Sequence, residues 1–135
     1  MKTWLYLPLL LLGFILPGCT KTTNEVVIPN KTILQDVPPN KWGVDGNVRY
    51  VQIAVPELDA TSNQLDGVIV SIARDGTLYE LLPEVFDGES YNVIHSSQEK
   101  GFVTVELRGA NGQLAKPVTK TYRFKIVIIP SSQID

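Results

Sequence analysis

What most limits the folds open to this chain is its punctuation. From Thr32 onward every apolar run is short and is stopped by a turn-forming residue or pair: Pro38-Pro39, Asp45-Gly46, Pro56, Asp75-Gly76, Pro83, Asp87-Gly88, Asn111-Gly112, Pro117 and Pro130. Proline has no N–H to give to a ladder or a helix interior, and Asp-Gly and Asn-Gly favour tight hairpin turns. No stretch between these breaks shows a convincing amphipathic helix of ordinary length. Within the runs the apolar residues recur at every second position, the period of a strand with one face buried. Val51, Ile53 and Val55 form one such set, and Val68, Val70 and Ile72 another. Val103, Val105 and Leu107 oppose Thr104 and Glu106, while Tyr122, Phe124, Ile126 and Ile128 oppose Arg123 and Lys125. The pattern predicts an all-β fold, an antiparallel β-sandwich of about six or seven strands, and excludes parallel α/β folds, which need helices between strands.

In chain order, the expected strands are Thr32–Val37, Tyr50–Val55, the run from Gly67 through Ile72, Thr77–Leu82, Ser90–Ser96, Phe102–Arg108 and Lys120–Ile129. Asp75-Gly76 is read as the two-residue turn of a hairpin whose return strand is Thr77–Leu82. In Ser90–Ser96, Tyr91, Val93 and His95 share a face. The segment Glu57–Leu65 is expected to be a short helical or irregular connection with Leu58 and Leu65 available for burial. Trp42 is expected to cover one end of the core. The final strand is the most apolar of the set and is expected at the centre of a sheet, paired on both edges.

The opening of the chain is of a different kind. Lys2 is followed by an uncharged, mostly apolar segment, Trp4–Leu16, that ends in Leu16-Pro17-Gly18-Cys19. This ending resembles the lipobox of bacterial lipoproteins, in which the signal is cut before a cysteine whose thiol carries a diacylglycerol. The resemblance implies a signal peptide over residues 1–18 and a lipidated Cys19 with a linker over 19–30; the strand pattern then places the β-sandwich domain over 31–131 and a C-terminal tail over 132–135. The competing interpretation is a retained transmembrane helix, since Thr3–Thr20 is uncharged and close to the ~20 apolar residues a bilayer requires. Pro8, Gly13, Pro17 and Gly18 all weaken such a helix. Two or more acyl chains give stable anchoring, so a chain beginning at lipidated Cys19 is expected to stay on a membrane. Thr20 after the cysteine resembles lipoproteins sorted to the outer membrane, which implies a lipid-anchored protein of the bacterial cell envelope. Its periplasmic or surface orientation is left open.

The inventory of reactive side chains is small. Cys19 is the only cysteine and His95 the only histidine; with Cys19 expected to carry lipid, no cysteine is free, which excludes an internal disulfide, the usual structural zinc sets and Cys/His nucleophile pairs. The formal charge is −2, so no basic field exists to attract nucleic acid. Gly88-Glu89-Ser90-Tyr91-Asn92 lacks the second glycine and the strand-turn-helix setting of a nucleophile elbow. Asp87 with Glu89, or Asp45 with Asn47, offers oxygens for a calcium ion, but no Asp-x-Asp-x-Asp-Gly loop is present. Neither a metal nor a cofactor is expected. Acids crowd the middle of the chain from Glu57 to Glu89, offset there only by Arg74, and bases gather from Lys100 to Lys125, so the two groups are expected to pair or to form opposed faces.

The succession Trp42, Tyr50-Val51-Gln52-Ile53-Ala54-Val55-Pro56-Glu57-Leu58, Gly67-Val68-Ile69-Val70 and Tyr122-Arg123-Phe124-Lys125-Ile126-Val127-Ile128-Ile129-Pro130 resembles a family of small Bacteroidetes-type secreted lipoproteins. In some members the domain follows collagen-like Gly-X-Y repeats, which this chain lacks. The resemblance brings no established activity and no functional residue. The expected function is that of a non-enzymatic interaction or structural module on the envelope, with a membrane partner through Cys19 and a protein or glycan partner beyond it. Trp42, Tyr79 and Tyr91 are the candidate stacking faces for a glycan. The alternative is a small envelope hydrolase using carboxylates or His95.

Overall fold

The computed structural model describes residues 27–96, 98 and 100–134; the expected signal peptide and Cys19 lie outside the described residues. Among the described residues nine strands form: β1 (Lys31–Val37), β2 (Gly43–Asp45), β3 (Val48–Ala54), β4 (Gly67–Ala73), β5 (Glu80–Leu81), β6 (Glu84–Phe86), β7 (Glu89–Ile94), β8 (Phe102–Arg108) and β9 (Tyr122–Ile129), with a single-turn helix α1 (Ser62–Leu65). They make two antiparallel sheets, ordered β1-β9-β4-β5 and β2-β3-β8-β7-β6. The fold is all-β, as the alternation predicts. Among the described residues no helix is long and apolar enough to cross a membrane.

The two sheets share one apolar core. β9 contributes Phe124, Ile126 and Ile128, β4 contributes Val70 and Ile72, and the second sheet supplies Val51, Ile53, Val103, Val105 and Leu107. Leu58 and Val55 are fully buried beside them. β9 lies between β1 and β4, the central position expected of the most apolar strand. Its backbone groups are used on both sides, and its alternate residues face the core. The chain crosses between sheets four times, after β1, β3, β5 and β8, and the two shorter crossings are corners that hold proline. One is the stretch Pro38–Trp42, containing a 3₁₀ turn at Pro39–Lys41; the other is Leu82-Pro83, linking β5 to β6. Proline suits these corners because a residue leaving a ladder has no partner for an N–H.

The hairpin expected at Asp75-Gly76 forms, since β4 pairs antiparallel with β5, but its loop is longer than two residues. Asp87-Gly88 is the true two-residue hairpin: Phe86 pairs with Glu89, and both turn residues have positive φ, 51° at Asp87 and 76° at Gly88, the requirement of a type I′ turn. The strand it closes, β6, is too short to alternate visibly in sequence. At Asp75-Gly76 the return strand shrinks to Glu80–Leu81, and the loop before it swings wide. The reason is local. The Asp75 carboxylate accepts hydrogen bonds from the N–H groups of Thr77 and Leu78, both at 2.8 Å, so these donors are spent on a side chain rather than a ladder. His95 also falls outside its expected strand, because β7 ends at Ile94.

These bonds make the acid limb of stability predictable. Backbone N–H groups of Leu78 and Thr77 hold the Asp75 carboxyl below its ordinary value of 3.8; Ser62 does the same for Asp59, and hydrogen bonding to Arg123 does so for Asp36. An acid whose pKa is lower in the folded chain contributes stability that is complete above its unfolded pKa and is lost as pH falls through the folded one. The loss is therefore expected below about pH 4. Asp75→Asn keeps an oxygen acceptor and removes the charge, so its urea midpoint should fall less steeply than the parent's on acidification below that pH. An unchanged slope would mean that the carboxylate charge contributes nothing there.

Candidate functional site

Along β3, Val51 and Ile53 turn inward, so Tyr50 and Gln52 turn outward. β8 and β7 continue the same rows across the five-stranded sheet. Tyr50 lies opposite Glu106, which lies opposite Asn92; Gln52 lies opposite Thr104, which lies opposite Ile94; Val48 lies opposite Arg108. The result is a polar outer face with a shallow concavity of about 400 Å³, lined by Asp45, Val48, Tyr50, Gln52, Ile94, Thr104, Glu106 and Arg108. Arg108 donates to Glu106 Oε2 from Nη2 at 2.7 Å and from Nε at 3.2 Å. On one side of the concavity the Tyr50 ring lies over Gly43, its cross-strand partner in β2. A Cβ on Gly43 would stand only 2.9 Å from Tyr50 Cζ, so the glycine makes room for the ring.

The three aromatic residues singled out in the sequence are not assembled into one surface. Trp42 is half-buried and packs against Tyr122 edge-on and against Phe124 at a tilt, with ring centroids 6.4 Å apart in both pairs. It covers the end of the core, and its Nε1 is buried without a partner. Tyr79 holds the Lys125 ammonium 4.4 Å from its ring centre. Tyr91 is a correction to the expected stacking set: it is 3 % exposed, because its register opposite Leu107 turns it into the core. Its phenol is pushed up to about 12, chiefly by burial.

Over Tyr91 lies a group that strand patterning does not reveal. The Arg74 guanidinium sits between two rings, 4.1 Å from the centre of Phe86 and 4.6 Å from that of Tyr91, and pairs with both Glu80 and Glu84. Arg74 follows β4 and Glu80 lies in β5, whereas Glu84, Phe86 and Tyr91 belong to the other sheet, so one side chain fastens the two sheets at their common edge. The available sequence signal was its isolation as the one cation among many acids.

The remaining charged groups are largely tied into the scaffold. Arg123 forms a two-pronged contact with Asp36 across β1 and β9. Asp87 and Glu89 are engaged by Lys116, through its ammonium and its backbone N–H respectively, which pins the loop before β9 to the β6–β7 turn. Pairing between the acidic and basic stretches is thus realised at this point. Among the described residues no three metal-binding side chains converge. His95 Nδ1 lies 3.0 Å from Asn63 Oδ1, and Asn63 is itself held in α1 by donating to the carbonyls of Leu58 and Asp59. Comparison with family models, curated proteins and solved structures finds no match for the chain.

Proposed function

We propose that this chain is a lipid-anchored module of the bacterial envelope, cut before Cys19 and held on the outer membrane by its acyl chains, and that its β-domain acts by binding. Support for binding comes from the outer face of the five-stranded sheet. There a set of outward-facing polar side chains surrounds an open concavity, while Arg74 and Arg123 are spent on joining strands. A rigid sheet face of this kind presents side chains in fixed positions and limits the ordering cost of binding. Support for the anchor remains the Leu16-Pro17-Gly18-Cys19 sequence.

Cys19→Ala tests the anchor. Metabolic labelling with a fatty acid should mark the parent chain and not the variant, and the variant should accumulate as uncut precursor. Equal processing and membrane retention of the two would favour the transmembrane reading instead. The hydrolase alternative draws on the His95–Asn63 contact, since an amide that fixes one imidazole nitrogen leaves the other to take a proton. In that case His95→Ala would abolish a hydrolytic activity of the purified chain. Under the binding reading it would leave ligand capture unchanged.

A further inference from the structure

The geometry points to a neutral oligosaccharide as the ligand of the outer face formed by β3, β8 and β7. This inference rests on the binding reading above and adds the ligand's chemistry. The concavity of about 400 Å³ falls within the ~300–1,000 Å³ usual for small-ligand sites, and it is open, as a chain of sugar rings entering sideways requires. The concavity lies on the face of the sheet, where β8 is paired with β3 on one side and β7 on the other, so what it offers a ligand is side chains.

Those side chains suit hydroxyl groups. The Gln52 amide and the Thr104 hydroxyl each donate and accept, which matches a ligand whose every hydroxyl does the same. Glu106 and Arg108 are bound to one another, and such a pair presents neighbouring acceptors and donors with little net charge. An anionic ligand would meet Glu106 and Asp45, while the one lining cation, Arg108, is already engaged by Glu106, so a neutral sugar fits this face better than an acidic one. The apolar share is Val48 and the Tyr50 ring on β3 and, across on β7, Ile94, 46 % exposed. An aromatic ring beside hydrogen-bonding groups is the combination that receives the C–H face of a pyranose while its rim of hydroxyls is satisfied. Because Tyr50 is lodged over Gly43, little side-chain freedom is lost when a sugar settles on it.

The test uses the purified full chain in detergent. Its probes are neutral hexose oligosaccharides of two to six units in gluco, manno and galacto series, each run beside a uronic-acid counterpart. Titration calorimetry should show saturable binding of at least one neutral series, stronger than its acidic counterpart. Tyr50→Ala and Glu106→Gln should each weaken it at least tenfold while the chain still unfolds in a single cooperative transition. Gly43→Ala, which removes no contact but forces the ring to shift, should weaken it severalfold. Absence of saturable binding by every neutral probe, stronger binding of the acidic ones, or equal affinity in Tyr50→Ala would overturn the inference. If no sugar binds yet Tyr50→Ala abolishes capture of an envelope protein, the ligand assignment fails and the binding module stands. If His95→Ala instead abolishes a hydrolytic activity that Tyr50→Ala spares, both fall.

Discussion

Arg74→Ala is expected to lower stability by about 3 kcal/mol, the low end of what removal of one partner from a buried ion pair costs. The Arg74 side chain is 13 % exposed and that of Glu84 18 %, whereas that of Glu80 is 38 % exposed and can turn to water. That difference keeps the figure from rising further. Truncation leaves Glu84 unpaired in a poorly solvated place and empties the space between the Phe86 and Tyr91 rings. Arg74 Nε has no partner in the folded chain, a standing penalty that truncation relieves and that again points to the low end. For a domain near 100 residues the thermal midpoint should fall by roughly 10–20 °C. Arg74→Lys should recover little, since an ammonium cannot lie flat between two rings while reaching two carboxylates. Arg74→Met combined with Glu80→Gln and Glu84→Gln should recover most of the loss, because the isolated charges go with the cation. A melting midpoint for Arg74→Ala within 3 °C of the parent would show that the two sheets are not fastened there.

Phe124→Ala should cost about 4 kcal/mol, within the range for deleting a core aromatic side chain. Phe124 has no exposed surface and stands in the central strand of its sheet, opposite Ile72 of β4 and Gln35 of β1. It also carries the Trp42 ring. The void would therefore open directly beneath the residue that covers the core's end, and Trp42 could fill it only by giving up Tyr122. Phe124→Leu, which loses less volume, should cost less than half as much. Leu34→Ala provides the contrast: Leu34 is 59 % exposed on the same sheet and should shift the urea midpoint negligibly. Similar losses in Phe124→Ala and Leu34→Ala would contradict the placement of β9 at the core.

The parts of the fold visible in the sequence are those governed by period. Val51 and Ile53 in β3, Val103, Val105 and Leu107 in β8, and Phe124, Ile126 and Ile128 in β9 alternate because each strand has a wet face and a dry one, and all of them are buried. What escaped is what period cannot carry. β2 and β6 have three residues each, too few to show an alternation. Asp75-Gly76 and Asp87-Gly88 are the same dipeptide with different outcomes, decided by whether neighbouring N–H groups bond to a side chain or to a strand. Tyr91 and Tyr50 are both strand tyrosines, one inside and one outside, and the assignment of each depends on a register fixed by distant residues. The candidate face was hidden for the same reason. Gln52, Thr104 and Ile94 are far apart in the chain and meet only because β3, β8 and β7 are neighbours.

The pairing of β1 with β9 sets Lys31 against Ile128, so among the described residues the first strand finds its only sheet partner in the last. Nothing delivered earlier can stand in for it. In a chain made from its N-terminus, β1 stays without its β9 partner until the end of the described residues has been reached. Closure then joins ends separated by nearly the whole domain, the kind of contact that makes β-proteins fold slowly. Until that closure, the edges of β1 are open to proteases and to other copies of the chain.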